Sequence, residues 1–89
     1  MPSIEHQAKL TEAVFAELRR AESLHPAWPD DPFRGLAIVG EEFGEAQQAA
    51  LDASYGRGTW QQYRTELIQL AAMSLRLLWN MSDEKEEAP

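Results

Sequence analysis

Eighty-nine residues carry eight lysines and arginines against fifteen aspartates and glutamates, a formal net charge of -7, and no cysteine. A chain this short makes one domain and buries only about 60 to 65% of its unfolded surface, so a lone copy is marginal and self-association is expected. The basic residues form no run, which excludes the footprint of a binder of polymeric nucleic acid or anionic membrane, and the missing cysteines exclude disulfides and thiolate metal sites.

In chain order, Ser3 suits the N-cap of a first helix reaching about residue 24. On it Ile4, Ala8, Thr11, Phe15 and Leu18 form one apolar stripe, with Leu10, Val14 and Leu24 on its flank. The stretch HPAWPDDPF, His25 to Phe33, holds three prolines and two aspartates and forbids regular structure. Asp31 before Pro32 starts a second helix, because the carboxylate accepts backbone N–H groups while proline at the first helical position gives up nothing.

That helix is predicted to run to about Ser54, with Leu36, Val39, Phe43, Ala46 and Ala50 on its apolar stripe. The glycines of SYGRGT end it, and Thr59-x-x-Gln62 has the form of a capping box opening a third helix. From Leu67 to Trp79 this third helix is apolar on nearly every side, which predicts burial by more than one neighbour; it is too short to span a bilayer. No signal-peptide pattern opens the chain, and a cytoplasmic location is expected. Residues 1–82 thus read as one all-α domain and 83–89 as a disordered acidic tail. The fold expected is a short antiparallel bundle of three main helices, completed by oligomerisation into a four-helix-bundle-like core.

One segment breaks helix rules. GEEFGEA, Gly40 to Ala46, crowds three carboxylates into five residues and adds two glycines that each cost about 1 kcal/mol relative to alanine. Glu42 and Glu45, three residues apart, point from one helical face, and Glu66 and Gln69 repeat that spacing on the third helix. Facing one another across an antiparallel seam, these four make a hard-cation site, for which magnesium, or manganese in its place, is the natural occupant. Gly40 and Gly44 would then let the helices approach and leave room for ligand. The plainer readings are a solvated acidic face and close helix packing without any ligand.

EEFGEA, followed after a turn by ELIQLAAMSLRLL from Glu66, resembles the Glu-Glu-x-x-Glu and Glu-x-x-Asp signature of the MazG-like all-α nucleoside triphosphate pyrophosphohydrolases, small bacterial or phage members in particular. The resemblance spans residues 33–78. It implies magnesium-dependent cleavage of a nucleoside triphosphate to a monophosphate and pyrophosphate. Glu42, Glu45 and Glu66 would be metal ligands, Glu41 a further ligand or the group that orients the attacking water, and the assembly a homodimer or homotetramer. Gln69 stands where the family has aspartate; its carbonyl oxygen can still meet a cation, but one negative charge is gone. The competing reading is therefore an inactive relative acting as a structural or protein-interaction module. Arg76, two turns beyond Gln69, is a candidate phosphate clamp or an ion-pair partner across the oligomer. Arg57 is a candidate to close over phosphates from the turn, and Trp28 to stack a base or to staple its loop.

Overall fold

A computed structural model describes residues 3–81, and the expected acidic tail lies outside them. Three helices make up the described chain: α1 (Ile4–Leu24), α2 (Pro32–Ser54) and α3 (Trp60–Trp79). Each begins where side-chain chemistry predicts. The Ser3 hydroxyl accepts from the His6 N–H, and the Asp31 carboxylate accepts from the Phe33 N–H with Pro32 behind it. Thr59 and Gln62 complete a reciprocal capping box, at 3.1 and 3.0 Å. Gly56 turns the chain out of α2 with a φ of 72°, a left-handed conformation that glycine adopts without penalty.

α3 is the central element. It packs against both α1 and α2, whereas the backbones of α1 and α2 nowhere approach each other among the described residues. α2 and α3 run antiparallel, as the short connection predicts: the start of α2 meets the end of α3 at Gly35 and Leu77, and Glu45 in mid-α2 meets Glu66 in the first half of α3. A Cβ on Gly35 would lie 2.5 Å from Leu77 Cδ1 and 3.4 Å from Trp28 Cζ2, so this glycine sets how closely the two helices and the loop pack. No helix is long and apolar enough to cross a membrane among the described residues.

The core is small. Leu18 and Ala21 of α1 meet Ala72 and Met73 of α3, with Val14, Trp28, Ile38, Val39 and Leu75 partly buried around them. Two expected stripes are corrected by the packing. On α1 the buried line runs through Leu18 and Ala21, with Val14 half-buried, while Ile4 and Phe15 stay exposed. On α2 Ala46 is buried and Val39 and Ala50 are half-buried, but Leu36 and Phe43 are exposed. In both helices the face chosen is the one that meets α3. A helical pattern broad enough to offer two faces leaves that choice to the neighbour.

Candidate metal centre

α2 carries Glu42 and Glu45 one turn apart, and α3 presents Glu66 from the opposite side of the seam. One carboxylate oxygen from each lies within 4.8 Å of the other two. Gln69, one turn after Glu66, is half-buried and lines the same cleft as Glu42. Three of the four sequence-predicted ligands are therefore brought together midway along the α2–α3 seam, with Gln69 beside Glu42. Glu41 is exposed and stands outside the carboxylate group.

The electrostatics of the group are unfavourable as it stands. Burial, then the neighbouring carboxylates of Glu45 and Glu66, hold Glu42 above the usual carboxylate range; burial, then Glu45, does the same to Glu66. Oε2 of Glu42 and Oε2 of Glu66 are buried and accept no hydrogen bond. A buried acceptor without a donor costs on the order of 1–3 kcal/mol, more when it is charged. A proton or a cation would relieve two such atoms in one cluster, and carboxylate oxygens are donors that a hard cation can take.

The cleft beside the cluster has a volume of about 340 Å³ and lies between α1 and α2, with α3 as its floor. On the α1 wall Glu17 and Arg20 form a two-point ion pair, one bond of which is 2.7 Å long. The Arg20 hydrogen bonds hold the Glu17 carboxyl below its usual range against the opposing effect of burial, and the Glu17 charge in turn helps to raise Glu42. Sequence reasoning missed this pair. Glu17 flanks Leu18 on the face that turns inward, whereas the stripe expected for the first helix passes through Phe15 instead. A second hollow of about 310 Å³, lined by Glu45, Gln48, Asp52, Gln62 and Glu66, opens on the other side of the cluster.

Arg76 is 4% exposed. Its Nη2 donates to the carbonyl oxygens of His25 and Ala27, and its guanidinium carbon lies 4.8 Å from the centre of the Trp28 ring. It fastens the α1–α2 loop to α3 at the floor of the cleft, while its buried Nε has no hydrogen-bond partner. Trp28 sits between that guanidinium and the backbone of α2 at Gly35, in the stapling position, with the cleft beside it. Arg57 is exposed on the α2–α3 turn, over the Tyr55 ring at 5.6 Å, and lines neither hollow. Gly40 and Gly44 correct an expectation: a Cβ at either would meet nothing within 4 Å, so they face away from the seam. Gly35 and Ala46 supply the close packing instead.

Compared with protein-family models, with curated proteins and with solved structures, the chain matches none.

Proposed function

We propose that the protein is a magnesium-dependent nucleoside triphosphate pyrophosphohydrolase that works at the Glu42–Glu45–Glu66 cluster. The observation that carries this reading is the convergence of three carboxylates with two buried, donor-less oxygens beside a cleft of ligand size. Glu42, Glu45 and Glu66 would hold the ion and Gln69 would offer its carbonyl oxygen. The ion, when bound, would neutralise phosphate charge and lower the pKa of an attacking water. The chain's own contribution is to fix the ligands on two rigid helices and to wall the cleft with Trp28 and the Glu17–Arg20 pair. Glu41, exposed and lining neither hollow, is given no part in holding the ion. Manganese would serve in place of magnesium, and a cytoplasmic setting supplies both the ion and the nucleotide.

A thermal melt with magnesium alone, then with magnesium and a nonhydrolysable triphosphate, tests the reading. Stabilisation by the ion and a further rise with nucleotide are expected. No response to either leaves an acidic helical protein without a metal site. The second reading, an inactive structural or interaction module that holds the ion alone, rests on Gln69. Stabilisation by magnesium with no added effect of any nucleotide and no pyrophosphate released favours it.

Two expectations follow from the electrostatics. Because the folded state holds the protons of Glu42 and Glu66 more tightly than the unfolded chain does, their contribution to stability is full below the ordinary carboxylate range. It is lost as pH rises through the raised values. Magnesium competes with those protons, so it should raise the melting temperature more at pH 8 than at pH 5; an equal or larger rise at pH 5 contradicts ligation by these two groups. Gln69→Asp adds a fourth carboxylate at the cleft and should tighten magnesium binding by about tenfold, the size of an interaction of roughly 1.4 kcal/mol. Calorimetry reading an unchanged or weaker affinity would place Gln69 off the ion.

A further inference from the structure

The outer face of α2 is apolar, uncharged and uncovered. Phe33, Leu36, Phe43 and Leu51 are 80, 57, 53 and 50% exposed, and Gly40, Gly44 and Gln47 lie exposed among them. At about 100° per residue these seven positions fall within a sector of roughly 100° on the helix. Every charged residue of α2, namely Arg34, Glu41, Glu42, Glu45 and Asp52, falls on the opposite half. None of the seven lines either hollow beside the carboxylate cluster.

The order of side chains on this face is symmetric. When two copies of a helix pack antiparallel about a two-fold axis, residues whose numbers share one sum lie opposite each other. With the axis between Phe43 and Gly44, Leu36 meets Leu51, Gly40 meets Gln47, and Phe43 meets Gly44. Each glycine thus receives a long or bulky side chain from the other copy, the two leucines flank them, and Phe33 lies beyond Leu36, opposite Ser54.

We infer that the outer face of α2 is the seat of a second copy of this chain, packed antiparallel about a two-fold axis between Phe43 and Gly44. Three further observations select a second copy over another partner. Among the described residues no large side chain is fully buried, so the core of the single chain is small and a covered apolar face adds to it. The contact brings no carboxylate of one acidic copy against those of the other, because the charges of α2 sit on its far side. The face is also its own complement in size. Two α2 helices alone share a strip of roughly 27 Å by 10 Å, below the ~800 Å² per partner of an ordinary dimer. The exposed Leu67 of α3 lines a hollow with Leu10 and Val14 of α1 and adds nothing to this strip, so the contact is a small one and the association it supports is concentration-dependent. The two hollows and the carboxylate cluster stay open in such a dimer. The inference is independent of the hydrolase reading.

The chain has no native cysteine, which makes disulfide mapping clean. Positions 40 and 47 are two turns apart, roughly 10 Å along the helix, beyond the ~7 Å over which cysteines bridge. The double variant Gly40→Cys with Gln47→Cys should therefore oxidise to a covalent dimer, while each single variant stays uncrosslinked. Sedimentation of the unmodified chain should give the mass of two copies or of four. The substitution Gly44→Leu, which improves helix propensity but fills the notch for Phe43, should weaken association at least tenfold with helix content retained. A single-chain mass, a double variant that does not crosslink, single variants that crosslink as well as the double, or undiminished association of the Gly44→Leu variant each overturns the proposal. Pyrophosphate release plays no part in these readouts.

Discussion

Glu45→Gln should abolish magnesium-dependent pyrophosphate release, by at least about 100-fold, while circular dichroism shows the helices intact. Glu45 is the member of the cluster that touches both others electrically: it stands among the causes that raise Glu42 and Glu66 alike. It is also exposed, so the substitution leaves no cavity. The same variant should have the opposite effect on the ion-free protein. Removing one of three converging charges relieves repulsion on two half-buried carboxylates, so the variant should melt higher than the parent in a chelator at neutral pH. In magnesium the ranking should reverse, because the parent gains the ion and the variant does not. Undiminished turnover removes Glu45 from the mechanism. A variant that melts lower than the parent in chelator shows that Glu45 stabilises its neighbours through some other contact.

The second large effect is expected from Arg76→Ala. The side chain is buried, donates to two loop carbonyls and lies over Trp28. Its removal leaves the carbonyls of His25 and Ala27 to solvent, loses the cation–π contact and opens space beneath the loop. Losing two charge-assisted hydrogen bonds together with the packing of a buried side chain costs about 3 kcal/mol or more. In a domain of this size each kcal/mol lowers the melting temperature by roughly 4–8 °C, so a drop of about 12 °C or more is expected. Arg76→Lys keeps the charge but not the planar fork and should fall between. Because Trp28 and the loop wall the cleft, the lysine variant should also raise KM for a triphosphate more than it lowers kcat. A melting temperature within a degree or two of the parent for Arg76→Ala would show that the loop is held by Trp28 and Gly35 alone.

The helices were legible because their ends are written in short-range chemistry. Ser3, Asp31–Pro32 and Thr59-x-x-Gln62 satisfy the first N–H groups whatever the rest of the chain does, and the structure uses all three as caps. The pairing of Glu42, Glu45 and Glu66 was legible for a related reason: one-turn spacing on two helices joined by a short turn leaves few ways to pack, and the antiparallel one aligns the pairs. Glu17 and Arg20 were not legible as part of the cleft. Their position depends on which side of α1 turns toward α3, and the first helix carries apolar residues on two adjoining faces. The roles of the glycines were exchanged for the same reason. Gly40 and Gly44 look like a packing notch from spacing alone, but the sequence does not say which helix uses it, whereas Gly35, with no such pattern around it, ends up against Leu77 and Trp28.

Local order along this chain was thus determined by residues within four positions of each other: where helices start, where they stop, and which carboxylates share a turn. The tertiary structure alone decided which apolar face α3 covers, that Arg76 lies beneath the proline-rich loop, and that two glutamate oxygens are left buried without a donor. Those outcomes depend on contacts between residues tens of positions apart, where the free energy gained by burying one face or another differs too little for periodicity to distinguish them.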